Sequence, residues 1–222
     1  MQVASGAWRY ALAPLLAAPI VAVLSIPAAV GLAILALAVL AFFRDPERFA
    51  PDTGVLAPAD GRISVLRRED DRVRLGVFMN VWNVHVARAP TTGTVGSVEH
   101  TPGAHRPAFS KDSDRNERVH VRFENTGDAH TDSASDSDNA LQVAADCRIE
   151  EVTMIAGSFA RRITPYPEPG ETVTRGERIG HIAFGSRIDV VFSGAVSPED
   201  LAVERGQRVR AGETVILEDD QA

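Results

Sequence analysis

Lysine is nearly missing from this chain. Lys111 is the only one among 222 residues, and arginine supplies the other cationic side chains. Asp and Glu together number 30, and the formal net charge is −7. This balance argues against a nucleic-acid partner, because phosphate binding needs clustered basic excess. Scarce lysine with surplus carboxylate suits a host with high internal salt or one with a GC-rich genome, and composition does not separate the two. Cysteine is as scarce. With Cys147 alone, no intrachain disulfide can form and cysteine-rich zinc patterns are excluded. The segment Asp146-Cys147-Arg148-Ile149 reads as the start of a strand, so the thiol is expected to be buried and structural. No His-x-His or His-Glu-x-x-His spacing occurs, and no metal is expected.

Charge is also absent locally. Residues 11–43 carry none at all and are rich in Ala, Leu, Val and Ile. A spanning helix needs about 20 apolar residues. One straight helix of this run would measure about 50 Å, against a hydrocarbon core of about 30 Å. Pro27 lies near the middle, with Ser25 and Gly31 close by. Residues 1–45 are therefore expected to form a membrane anchor, a transmembrane hairpin of two helices over residues 10–26 and 28–43. One tilted span is the alternative; a signal peptide would be shorter. Arg9 flanks one end and Arg44 and Arg48 the other, which puts both ends on the cytoplasmic side of the cell membrane.

Residues 46–222 read as one β-rich domain. Runs such as Arg62-Ile63-Ser64-Val65-Leu66, Val73-Arg74-Leu75-Gly76-Val77-Phe78 and Val119-His120-Val121-Arg122-Phe123 alternate in polarity between Gly, Pro and Asp breaks. Residues 125–139 form a polar, acidic low-complexity insert, expected to be a disordered loop between strands. An internal repeat follows: Gly170-Glu171-Thr172-Val173-Thr174-Arg175-Gly176-Glu177-Arg178-Ile179 aligns without gaps onto Gly206-Gln207-Arg208-Val209-Arg210-Ala211-Gly212-Glu213-Thr214-Val215. Such units resemble half-motifs of barrel-sandwich hybrid folds, so the fold class is expected to be mainly β with a core of that kind. Lys111 lies outside both units, which disfavours a carrier of a lysine-linked group.

Three segments combine turn chemistry with reactive side chains. Asp60-Gly61 is a tight turn before a strand. His85 alternates with Val84 and Val86 at strand period, so it should face away from both valines. Gly185-Ser186 joins two apolar, strand-like stretches. Glycine there unhinders a carbonyl and serine offers a hydroxyl to attack it, the makings of backbone self-cleavage.

Taken together, "FFRDPER", "PADG", "FMNVWNVHVARAP", "PAFSKDSDRNER" and "FGSRIDVVF" resemble the short form of phosphatidylserine decarboxylase over about residues 42–215, interrupted by the acidic insert. The resemblance implies a proenzyme that cuts itself between Gly185 and Ser186 into chains 1–185 and 186–222, which stay together as a heterodimer. It implies that Asp60 orients His85, that His85 deprotonates Ser186, and that Ser186 becomes a pyruvoyl group. That group would act as the electron sink for decarboxylating a serine phospholipid, phosphatidylserine or its archaeal ether counterpart archaetidylserine. His85 would also serve the later proton transfers. His105 is a candidate for lining the substrate pocket, and Arg44 and Arg48 for attracting the head group. Higher oligomers stay open. The alternative reading is a membrane-tethered hybrid-barrel module that binds without catalysis.

Overall fold

The computed structural model describes residues 2–4, 8–108, 115–124, 148–158, 162–183 and 185–219. The insert 125–139, Lys111 and Cys147 lie outside the described residues.

Apolar helix formers dominate the N-terminal segment, and they fold as α1 (Trp8–Ala22) and α2 (Ile26–Phe42), packed against each other as a hairpin. The turn falls at residues 23–25 and not at Pro27. Ser25 caps α2 by accepting from the Ala28 amide at 3.5 Å. Pro27 sits in the first turn, where its missing N–H leaves no hydrogen bond unmade. The helices have 15 and 17 residues, so they are about 22 and 26 Å long. The expected two-helix hairpin is present, and among the described residues no helix is long and apolar enough to cross a membrane. Its surface is apolar nonetheless: Val23 and Leu24 at the tip are 86% and 88% exposed.

The regular structure of the rest of the described chain is mainly β. β1 (Gln2–Val3) pairs with β2 (Arg44–Asp45) at the foot of the hairpin. The strands that follow are β3 (Val55–Leu56), β4 (Gly61–Glu69), β5 (Arg72–Met79), β6 (Val86–Arg88), β7 (Gly93–Thr101), β8 (Arg118–Phe123) and β9 (Ile149–Ala156). After them come β10 (Ile163–Pro165), β11 (Thr172–Val173), β12 (Arg178–Ile182), β13 (Ser186–Phe192), β14 (Arg208–Val209) and β15 (Val215–Leu217). An eight-stranded antiparallel sheet runs in the order β11-β7-β8-β9-β13-β5-β4-β14. A three-stranded sheet, β10-β12-β6, and the ribbon β15-β3 complete the core.

The sequence repeat has a structural counterpart. Each copy clasps one stretch of chain through equivalent bonds. The Gly206 amide donates to the Ile63 carbonyl and the Ile63 amide to the Gln207 carbonyl, just as Gly170 donates to Val95 and Val95 to Glu171. The Gly212 amide reaches the Ala57 carbonyl, and Gly176 reaches Ala89. Val209 pairs with Gly61 and Val173 with Gly93. Leu56 and Arg88 then cross over, donating to the carbonyls of Pro90 and Pro58. The two Ala-Pro segments therefore interlock two similar units around one hydrophobic core.

Strand β13 lies at the centre of the large sheet, between β5 and β9, and all seven of its residues are buried. Residues two apart share a face. Ser186, Ile188, Val190 and Phe192 thus face the same way, and the last three join the apolar core. The opposite face carries Arg187 and Asp189, whose guanidinium and carboxylate bond at 2.7 and 2.9 Å. Arg74 approaches the same carboxylate at 3.5 Å.

Candidate active site

Ser186 opens this central strand. It is 0% exposed, opposite Met79 on β5 and Ala156 on β9. Its hydroxyl donates weakly to the Met79 sulfur at 3.9 Å. Gly185 has φ +62°, and a Cβ there would meet nothing within 4 Å. Glycine is therefore required by the left-handed backbone and not by crowding. The carbonyl of Gly185, the one a neighbouring hydroxyl would attack, accepts a hydrogen bond from the Gly157 amide at 2.9 Å. A polar cleft of about 720 Å³, lined by residues including Glu69, Arg74, Glu150 and Glu151, lies by Val191, towards the other end of β13.

His85 sits one residue before β6, at the end of a turn built by two asparagines. The Asn80 amide donates to the Asn83 side chain, and the Trp82 amide to the Asn80 side chain, each at 2.9 Å. Sequence alternation predicts that His85 faces away from Val84 and Val86; all three are buried, because the segment passes under the hairpin foot. Nδ1 of His85 lies 2.9 Å from the Asn83 carbonyl, and Nε2 is buried with no hydrogen-bond partner. Burial, helped by the nearby Arg44 charge and opposed by the Asn83 carbonyl, lowers the His85 pKa to about 4. The imidazole is therefore a neutral, dry base.

The hairpin foot supplies the cover. Phe42 lies against the His85 ring with centroids 4.3 Å apart, and Phe43 meets His181 edge-on at 6.2 Å. Phe42, Phe43, Val84, Val86 and Ala183 form one apolar cluster, so the cover reaches both His85 and the segment leading into Ser186. Asp45, just below, is buried between Arg88, at 3.0 Å, and Arg178. Phe43→Ala should cost about 3–5 kcal/mol if the foot unfolds with the core. Urea unfolding, compared with Leu24→Ala at the exposed tip, checks this: the tip variant should stay within about 0.5 kcal/mol of the parent.

Among the described residues no hydrogen bond joins Asp60 to His85. The Asp60 carboxylate is held by Arg48 at 2.9 and 3.1 Å and accepts from the Ala211 amide at 2.9 Å. Arg48 also bonds Glu213 at 3.1 Å, so its charge is neutralised twice and is not offered to a head group. Arg44 differs. Its guanidinium donates to the carbonyls of Ala41 at 2.9 Å and Trp82 at 2.5 Å, and no carboxylate of the described residues pairs with it. His105 lies on the exposed loop before Ala108, with Nε2 3.6 Å from Glu117.

A sequence model of the phosphatidylserine decarboxylase family matches residues 35–217. The chain belongs to that family. A Halobacterium salinarum protein, provisionally named an archaetidylserine decarboxylase proenzyme, is 48% identical over 94% of this chain and 95% of its own length. A Streptomyces griseus phosphatidylserine decarboxylase proenzyme is 45% identical over 83% of this chain and 76% of its own. One from Solibacter usitatus is 38% identical over 97% and 96%. This membership makes the chain a decarboxylase and sets aside the non-catalytic module.

Seen as a decarboxylase, the chain has a site whose supports were not read from the sequence. Asp45, Arg88 and Arg178 tie the hairpin foot to the β core. Asn116 is 1% exposed, and its side-chain amide donates to the carbonyls of Arg106 and Ala156, each at 2.7 Å. Its own side-chain oxygen accepts from the Arg106 amide at 2.9 Å. A lone Asn inside "RNER" carries no periodic signal. The expectation that could have found it is simply that a buried amide satisfies its donors and acceptor.

Proposed function

We propose that this decarboxylase is made as a proenzyme, cuts itself between Gly185 and Ser186, and then converts a serine phospholipid into the ethanolamine lipid. The observation that carries the reading is Ser186 itself: a wholly buried hydroxyl following a left-handed glycine whose carbonyl already accepts a hydrogen bond. The Ser186 oxygen bonds to the Gly185 carbonyl carbon and gives its proton to a base. The Gly185–Ser186 amide bond then breaks, and the freed nitrogen takes a proton, leaving an ester. Loss of the Ser186 α-proton expels the Gly185 carboxylate. Water then replaces the nitrogen, released as ammonia, and residue 186 is left as a pyruvoyl group.

The residues present fit a group made in this way. Ser186 is gripped by β5 and β9 on its two sides, which also holds fragments 1–185 and 186–222 together after the cut. When formed, the group supplies a carbonyl electron sink for loss of carbon dioxide. His85, neutral and with Nε2 unpartnered, is assigned as the base. Arg44, whose charge no described carboxylate offsets, is assigned to the lipid phosphate. Asp60 acts as a positioning residue through Arg48 and the Ala211 amide. The twofold duplication supports a barrel-sandwich-hybrid reading of the core. The apolar hairpin is assigned to the cell membrane, entering from the cytoplasmic side and keeping the head group at its foot. Ester and ether lipids share the reacting head group, and the names of the relatives include both substrates.

Vesicles containing carboxyl-labelled serine lipid test the activity. The protein should release labelled carbon dioxide, and prior treatment with hydrazine should abolish release. Release that survives hydrazine contradicts a carbonyl cofactor. Arg44→Gln should raise KM at least tenfold while changing kcat less; an unchanged KM removes Arg44 from head-group binding.

A further inference from the structure

The Gly185 carbonyl is not free before the cut. The Gly157 amide donates to its oxygen at 2.9 Å, within the range expected of a donor aimed at a developing oxyanion. Gly157 directly follows β9, whose last residue, Ala156, lies opposite Ser186. The donor is therefore fixed by the same ladder that fixes the nucleophile. A side chain at this position is excluded, since a Cβ on Gly157 would lie 2.3 Å from the Gly185 oxygen and 2.9 Å from its carbon.

The other end of the same peptide group is also held. The carbonyl of Ala156 and the amide of Gly157 belong to one peptide plane, and that carbonyl accepts from the Asn116 side chain at 2.7 Å. Asn116 is locked in turn by its two bonds to the Arg106 backbone. A relay results: the Asn116 amide polarises the 156–157 peptide, which polarises the Gly185 carbonyl. Hydrogen bonds in such a chain strengthen one another, most of all where water is excluded.

We infer that the Gly157 amide is the oxyanion donor of the self-cleavage step, with Asn116 as the residue that positions it. The inference rests on the proposed break at Gly185–Ser186 and adds to it the group that stabilises the charge. As the Ser186 oxygen bonds to the carbonyl carbon, the carbonyl electron pair moves onto the Gly185 oxygen, where the Gly157 N–H meets it. When the carbon–nitrogen bond breaks, the pair returns, the carbonyl re-forms, and the nitrogen takes up a proton. No co-reactant is consumed. The sequence-derived set of Asp60, His85 and Ser186 contains no group for this charge.

An amide-to-ester replacement at position 157 tests it. Glycolic acid, incorporated in place of Gly157 by nonsense suppression in cell-free translation, exchanges the N–H for an oxygen and adds no side chain. Cleavage of the full chain is followed by intact mass beside the parent and Ser186→Ala. The ester chain should cut about 10²–10³-fold more slowly than the parent. Cutting within threefold of the parental rate overturns the oxyanion role and leaves the break itself standing. A parent that never cuts, or a Ser186→Ala chain that does, overturns the break and the inference with it.

A second readout does not depend on turnover. In the uncut Ser186→Ala chain, the isotope-labelled Gly185 carbonyl should shift to higher infrared frequency when position 157 is an ester. Asn116→Ala should produce a smaller shift of the same sign and, in the otherwise parental chain, cutting about tenfold slower. A purely structural role for Asn116 predicts no frequency change in a folded variant, and that result would remove it from the relay.

Discussion

His85→Gln should slow self-cleavage by about 10²–10⁴-fold, the usual contribution of a positioned base. The same change should make the protein less sensitive to acid. The sign follows from burial. The His85 pKa is lowered in the fold from 6.5 to about 4, so between those values the unfolded chain binds the extra proton and the folded one does not. Stability is fully present above pH 6.5, declines as pH falls towards 4, and changes no further below that on this account. The shift corresponds to about 3 kcal/mol. In the variant that part of the acid loss should vanish. The loss due to His181, whose pKa burial also lowers, should remain. Urea midpoints at pH 7 and pH 4.5 measure the stability difference. A parental protein no less stable at the lower pH would show that the imidazole is not held neutral. Cleavage rates give an independent check. Because the base stays unprotonated, the rate should show no step at pH 6.5; a step there would mean that a more exposed histidine does the work.

The second large effect is expected on the opposite face of β13. Asp189 is 1% exposed and holds the buried Arg187 through two bonds, with Arg74 nearby. Asp189→Ala removes the carboxylate from beside a guanidinium that is itself buried. Removing one partner from such a pair typically costs about 3–5 kcal/mol. Because β13 carries Ser186 at its first position, cleavage should slow as well, in proportion to the fraction unfolded. Calorimetric unfolding of the uncut Ser186→Ala background, with and without Asp189→Ala, isolates the stability effect from processing. A loss below about 1 kcal/mol would mean that the carboxylate is dispensable and that apolar packing alone holds the strand.

Local patterns gave good access to the β framework and poor access to its cross-links. The runs 62–66, 73–78 and 119–123 were readable as strands because side chains alternate at period two, and they lie inside β4, β5 and β8. The repeat at 170–179 and 206–215 announced two equivalent units, and their clasping bonds match. Gly185-Ser186 stands out because a small flexible residue and a hydroxyl join two apolar, strand-like stretches. The hairpin turns a few residues before Pro27, since proline suits the start of a helix as well as its end. Alternation predicts a strand face for His85 but carries no signal of the cover that the hairpin foot lays over the segment. The family resemblance pairs Asp60 with His85, and the bonds of its carboxylate to Arg48 and the Ala211 amide have no signal in the sequence. The partners of Asp45, Arg88 and Asn116 lie tens of residues away along the chain, and no periodicity records such pairings.

Intact mass spectrometry of the purified protein bears most directly on whether residue 186 becomes the cofactor. The parental chain should give two fragments, residues 1–185 and residues 186–222, the smaller lacking a free amine and adding one hydrazide tag. Ser186→Ala should give one full-length mass of about 23.8 kDa that takes up no tag. A parental chain that remains full length and untagged while releasing carbon dioxide from serine lipid would contradict the account.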